Sequence, residues 1–336
     1  MAPLLERLGV ELPVVQAGMG GGLSRHELAA AVSEAGGLGT IAVSGAEAIR
    51  RELAAARALT GRPVAVNVLL PFARRDWFEA AAEADVVVTF WGKPRRRTPG
   101  AWLHQCGSVG EAREAQAAGA DGVIVQGVEA GGHVRGTTPG LQLLEQVRAA
   151  LPAEYPLLLA GGVAEAGDVR VALEAGATAA VGGTRFLLSE ESRAHALYKE
   201  RLLGAKETLL TELFGAGWPA PHRVVPNAAT EHWLGGVRPL FPVRRTKDER
   251  RVVLRAPTAN RALNRLMAPG ARYTPPSLQL RMIRAQRPDS RVLTPAGPTD
   301  DGPETLVDAG ALYAGETVAR IDEVRPAAEI VRDLAG

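Results

Sequence analysis

Eight short runs of apolar, often β-branched residues recur at 14–16, 38–43, 64–70, 86–90, 103–106, 122–126, 157–160 and 179–181. Alanine-rich stretches with helical spacing lie between several of them. A strand that stays apolar at successive positions is buried on both faces. Such strands alternating with amphipathic helices make a parallel sheet with helical crossovers. Eight units fit a closed (β/α)8 TIM barrel better than an open doubly wound sheet. Helix punctuation agrees. Ser24 and Glu27 have capping-box spacing, Leu28, Ala31, Val32 and Ala35 share one face, and Gly36 stands where a left-handed stop belongs. Ser108 and Glu111 repeat the box, and Gly119 and Gly176 repeat the stop. Between Gly92 and Leu103 there are ten residues, with Pro94, Pro99 and Gly100 among them. The fourth crossover is therefore expected to be a loop or a single turn.

The βα rhythm stops near Leu203. The sequence reads as a barrel over 1–203, a mainly helical cap domain over 204–303, and a segment over 304–336 that packs back on the barrel. Charge separates the regions. The chain has a net charge of +2, yet 244–291 holds 13 Lys and Arg against 3 Asp and Glu. That stretch reads as solvated helix faces or as a positive field over a site that receives anions. Aromatic residues are 4% and no nucleic-acid motif accompanies the charge, so nucleic acid is not an expected partner. No apolar run reaches the roughly 18 residues of a membrane span. The N-terminus lacks the apolar core of a signal peptide. Cys106 is the one cysteine, which excludes an internal disulfide and a cysteine-rich metal site. A cytoplasmic enzyme with no membrane partner is expected. Cys106 and His104 read as packed strand residues. Trp218 and Trp233 read as core or interface, which leaves homodimer formation open.

In this fold function sits at the C-terminal ends of the strands. The first strand runs into Gln16, Ala17, Gly18, Met19, Gly20, Gly21 and Gly22, where bare backbone admits a flat ligand or merely turns tightly. Asn67 interrupts the apolar third strand and offers donors and acceptors to a ligand or to the core. The sixth strand ends in Gln126, followed by Gly131, Gly132 and His133. An imidazole on a short loop at this face suits proton transfer. The seventh and eighth strands end in Gly161-Gly162 and in Val181-Gly182-Gly183-Thr184-Arg185. Glycine pairs at these two strands match the phosphate site typical of the fold. No metal-ligand cluster stands out.

These residues strongly resemble the nitronate monooxygenase family, formerly called 2-nitropropane dioxygenases. The matching stretches are 14–20 (VVQAGMG), 27–39 (ELAAAVSEAGGLG), 66–68 (VNV), 120–133 (ADGVIVQGVEAGGH), 160–163 (AGGV), 182–186 (GGTRF), 191–199 (ESRAHALYK) and 312–318 (LYAGETV). The resemblance covers 1–203 and 304–336 well and 204–303 poorly. It implies an FMN-dependent oxidation of alkyl nitronates, or of nitroalkanes, by O2 to a carbonyl compound and nitrite. It implies His133 as the catalytic base and Asn67, Gln126 and Gly131 as flavin contacts. It implies Gly161, Gly162, Val181, Gly182, Gly183 and Thr184 as the FMN phosphate loop. Gly18, Met19 and Gly20 resemble the main chain that lies against the isoalloxazine ring. The alternative within the superfamily is an NAD(P)H-dependent FMN reductase of quinones or enoyl thioesters. A flavin-free lyase or isomerase of a phosphorylated metabolite is the alternative outside it.

Overall fold

The computed structural model describes residues 3–235, 253–255 and 257–336. In chain order its strands are β1 (Val14–Gln16), β2 (Gly39–Ile41), β3 (Val64–Leu69), β4 (Val86–Phe90), β5 (Ala101–Cys106), β6 (Gly122–Gln126), β7 (Gly132–His133), β8 (Leu157–Ala160), β9 (Ala179–Gly182), β10 (Leu209–Thr211), β11 (His222–Val224) and β12 (Val253–Leu254). They fall into two compact units. The first comprises 3–130, 135–193 and 323–336. The second comprises 131–134 and the described residues of 194–322.

The first unit is the barrel. Its parallel strands run in the order β1-β9-β8-β6-β5-β4-β3-β2. Closure between β1 and β2 is local: Gln16 N–H donates to Leu38 O at 2.9 Å and Leu38 N–H to Val14 O at 3.0 Å. Side chains alternate as the pleat requires. Ile124, Leu158, Ala160 and Val181 pack in the interior with Leu4 and Leu5 of the first helix. Val123, Val125, Leu157 and Leu159 face the surrounding helices. That double burial is why the strands read as continuous apolar runs.

Closest approach between layers falls at Gly39 on β2. A methyl there would overlap the carbonyl of Ala29 in the helix His26–Glu34. Backbone cannot yield as a flexible side chain can. Gly39→Ala is expected to cost about 3 kcal/mol of stability, read as a lowered denaturant midpoint at unchanged slope.

Residues 91–100, linking β4 to β5, contain no helix. Arg96 ties the loop instead, donating to Gly100 O at 3.0 Å and to the Asp121 carboxylate at 2.8 Å. Ser108 caps the helix Val109–Ala117 by accepting the Glu111 N–H at 3.2 Å. Ser24 does not cap its helix, which begins one residue later than expected with Arg25 at the N-cap. The turn after β1 takes the serine: Ser24 Oγ accepts the Met19 N–H at 3.0 Å. Gly36, Gly119 and Gly176 are all left-handed, as expected of stops. The C-terminal helix Ala327–Ala335 buries Ile330, Val331 and Leu334 in the same outer core as Leu28, Val32, Val169 and Ala172.

The second unit contains a small sheet in the order β12-β10-β11-β7. Leu209, Leu213, Phe214, Val224 and Leu293 form its core. The helices Ala228–Leu234, Thr258–Met267 and Pro276–Ala285 lie in this unit. The expected boundaries were 203 and 303, whereas the compact units divide after 193 and after 322. The sequence predicts a mainly helical region here and not this sheet, because strands of two or three residues carry no usable periodicity. Part of the arginine-rich stretch, at 244–252 and 256, lies outside the described residues. Among the described residues no helix is long and apolar enough to cross a membrane.

Candidate active site

At the mouth of the barrel the loop after β1 reaches Asn67 of β3. Gln16 is buried, and its Oε1 accepts the Thr40 N–H at 2.8 Å, so this amide is structural. The chain then passes Gly18, where a methyl would sit 2.5 Å from the Asn67 Cβ. Asn67 Nδ2 donates to Gly18 O at 3.3 Å, while its Oδ1 is buried with no hydrogen-bond partner. A buried amide oxygen left unmatched costs roughly 1–3 kcal/mol. Its surroundings form a cleft with about 320 Å³ of open space, lined by Gly20, Gly21, Ala42, Val43, Ser44, Asn67, Leu69, Phe72 and Trp77. No atom lies within 4 Å of where a Gly21 side chain would begin. Met19 sits in the same turn and packs partly against the outer core.

Gln126 ends β6 buried, and its Oε1 accepts the Arg135 N–H at 3.1 Å. It thus ties together the two ends of the segment that carries His133. Glu129 Oε1 accepts the Gly140 N–H at 2.8 Å, which ties the end of the β6 loop to the start of the following helix, Gly140–Ala150. After β8, Gly161 (φ 105°) and Gly162 (φ 78°) are both left-handed, a conformation that excludes most other residues. Within β9, the Val181 side chain packs in the barrel interior, and its main chain is paired with Val15 of β1 and Ala160 of β8. Gly182 accepts the Ala17 N–H at 2.8 Å through its carbonyl, and Gly183 precedes the short helix Thr184–Leu187. Thr184 is buried. Arg185 is buried too, and donates to Leu188 O at 3.1 Å and Glu323 O at 2.6 Å, a structural use of its charge.

In the second unit, β7 pairs antiparallel with β11, placing His133 opposite His222. A methyl on Gly131 would lie 2.5 Å from the Ala314 carbonyl carbon and the Gly315 nitrogen, so packing alone demands glycine. The His133 ring stacks on Trp218 with centroids 3.6 Å apart and planes 16° apart. His222 and Tyr313 lie 5.2 and 5.6 Å away, centroid to centroid. Burial, reinforced by His222, pushes the His133 pKa well below the usual 6.5. His222 is fixed as a neutral tautomer. Its Nδ1–H donates to Ala220 O at 2.9 Å and its Nε2 accepts the Phe214 N–H at 3.3 Å. Burial lowers its pKa to about 4. Trp218, His222 and Tyr313 were not identified from sequence as neighbours of His133. They stand 85 to 180 residues further on, and no local pattern joins them.

His104 on β5 is a core residue: the Thr89 hydroxyl accepts from Trp102 Nε1 and meets His104 Nδ1, both at 2.7 Å. Burial also holds the Cys106 thiol protonated. The fold brings His26, Glu27 and Glu52 together. They are engaged as an ion-pair cluster, His26 Nδ1 lying 2.7 Å from Glu52 Oε2 and Arg193 lying 3.2 Å from Glu27. Burial opposes ionisation of Glu52, but hydrogen bonds from His26 hold its pKa below the usual range.

A closed barrel with a cleft, two strand-borne amides and left-handed glycine turns at one rim is the architecture of a small-molecule enzyme. Comparison with known proteins makes the class specific. The family model for nitronate monooxygenase matches residues 2–92 and 95–336, and the chain belongs to that family. It is therefore an oxidoreductase of the nitronate monooxygenase type, from a flavin-dependent family. It is 35% identical over 262 residues to a nitronate monooxygenase of Pseudomonas aeruginosa, covering 61% of this chain and 74% of that one. It is 34% identical over 251 residues to a (3aS,4S,5R,7aS)-5-hydroxy-7a-methyl-1-oxo-octahydro-1H-indene-4-carboxyl-CoA dehydrogenase of Mycobacterium tuberculosis, covering 70% and 69%. Among solved structures, FabK from Thermotoga maritima superposes with a TM-score of 0.74 at 26% identity, covering 99% and 94%. Nitroalkane oxidase from Streptomyces ansochromogenes gives 0.70 at 29% identity, covering 99% and 96%.

Proposed function

We propose that this enzyme binds FMN at the barrel mouth and oxidises alkyl nitronates with O2 to a carbonyl compound and nitrite. Family membership supports the reaction class. The observation that carries the cofactor assignment is the orphaned Asn67 Oδ1 beside the bare backbone of Gly20 and Gly21. A flavin edge carries N–H donors, and its flat ring needs wall space without side chains. The residues present therefore fit the group. Gly18, Met19 and Gly20 would back the ring, and Asn67, Gln126 and Gly131 would contact the flavin. Gly161 and Gly162 with the main chain of Gly182, Gly183 and Thr184 would hold the phosphate, and Val181, paired within β9, would support that turn from the sheet. Bound FMN supplies the electron transfer to O2 that no side chain performs.

His133 is the proposed base. A neutral imidazole accepts the proton from the carbon beside a nitro group, and its burial with His222 keeps it neutral. A substrate that arrives as nitronate has already lost that proton. The enzyme is placed in the cytoplasm on this reading.

Asn67→Ala is expected to raise the FMN dissociation constant about tenfold, the worth of one well-formed hydrogen bond, measured by flavin fluorescence on reconstituted apoprotein. The central test is an anaerobic panel on the purified yellow protein. Nitronates should bleach the flavin bands, and aerobic turnover should release nitrite. A second reading, NAD(P)H-dependent reduction of a quinone or an enoyl thioester, draws support from the similarity to the carboxyl-CoA dehydrogenase, whose name identifies a CoA thioester. Bleaching by NADPH and by no nitronate would establish that reading instead.

A further inference from the structure

We propose that the helix Thr258–Met267 carries a hydroxyl-recognition site, in which Asn260, Arg261 and Asn264 take an alcohol group of the substrate that reacts at His133. The inference rests on the nitroalkane reading for the reacting group, but the site itself is argued from the helix. The polarity of this helix is inverted. Asn260 and Asn264 are 3% and 1% exposed, while Leu266 is 78% exposed. Asparagine has a lower helix propensity than leucine, and its amide loses hydration on burial. Neither cost is recovered within the chain. Among the described residues, Asn260 Nδ2 and Asn264 Oδ1 are buried with no hydrogen-bond partner, and so is Arg261 Nε.

Positions 260 and 264 are one helical turn apart, which brings their Cβ atoms within about 6 Å of each other. One small group can therefore face both amides. The unmatched atoms are two donors and one acceptor. A hydroxyl, with one proton to give and two lone pairs, matches all three. A carboxylate would set a negative charge against Asn264 Oδ1. An ammonium would leave both donors unmatched, and a hydrocarbon would leave all three. Packing connects this helix to the candidate base. A methyl on Gly215 would lie 2.9 Å from Asn264 Nδ2. Gly215 O accepts the Trp218 N–H at 3.0 Å, and the Trp218 ring stacks on His133. The substrate class is a nitroalkane that bears a hydroxyl a few carbons from the nitro group.

The test compares 3-nitropropan-1-ol with 1-nitrobutane, which has a methyl in place of the hydroxyl, on the holoenzyme. kcat/KM should favour the alcohol about tenfold. Asn260→Leu and Asn264→Leu should each erase that preference while raising the denaturant midpoint, because leucine restores propensity and removes an unmatched group. Equal kcat/KM for the two probes in the wild type overturns the proposal, and that comparison needs no variant. A preference that survives both substitutions also overturns it, since the polar atoms then hold a buried water only. So does a lowered midpoint with an equal loss of kcat/KM for both probes, which marks a packing role. If neither probe is turned over, the proposed activity fails by itself, and equilibrium dialysis of the same two probes decides the site. Tighter binding of the alcohol that Asn264→Leu abolishes upholds it. Equal affinities, or a preference that the substitution leaves in place, overturn it.

Discussion

His133→Asn is expected to lower kcat/KM for a neutral nitroalkane by about 10²–10⁴, the range that general-base catalysis contributes. Turnover of the preformed nitronate should fall much less, because that substrate needs no proton removed. Asparagine keeps a polar planar group against Trp218, so the loop should keep its course and FMN should stay bound. The pH profile gives a second readout. The His133 pKa is pushed well below 6.5, so the ring is unprotonated throughout the neutral range. Wild-type kcat/KM for the nitroalkane should therefore be level from neutral pH upward on the base-dependent limb and fall only in acid. A variant as fast as wild type on both substrate forms would remove the assigned role.

Acid should destabilise the protein well before its carboxylates titrate. His104 and His222 both have folded pKa values near 4, below the 6.5 of an unfolded histidine. The unfolded chain therefore binds protons that the folded chain refuses. The stability each ring provides is complete above about pH 6.5 and is lost as pH falls toward 4. From pH 7 to pH 5 the loss is about 2 kcal/mol for each histidine, at 1.36 kcal/mol per unit of pKa. The structures give the reason. Protonating His222 Nε2 would turn a donor against the Phe214 N–H. Protonating His104 Nδ1 would end its acceptance of the Thr89 hydroxyl proton and leave the Thr89 oxygen facing two donors, His104 and Trp102, with its own proton unplaced. Denaturant titrations at the two pH values, with His104→Gln as control, measure the effect. Equal midpoints at pH 7 and pH 5 would contradict it.

Much of the barrel could be read directly from sequence, because each strand reports its own environment. A run such as 122–126 is apolar at successive positions only if both its faces are covered. The short fourth link was visible because two prolines and a glycine leave no room for a helix. The site was partly legible, since glycine and amide residues at strand ends break an otherwise apolar pattern. Ser24 shows the limit. Its spacing to Glu27 suited a cap, but the turn after β1 competes for the same hydroxyl. Arg185 shows another, since its carbonyl partner Glu323 is 138 residues away.

By itself the sequence determined the parallel barrel, its glycine-lined rim and the family, because those features depend on local periodicity and on residues adjacent in the chain. Tertiary structure alone decided which groups surround His133, that Asn67 Oδ1 stays unmatched, and that Trp77 and Leu69 share a cleft with Gly20. Those outcomes join residues tens to hundreds of positions apart. Only the packing of whole elements fixes such distances, and with them the protonation, burial and hydrogen bonding on which the chemistry depends.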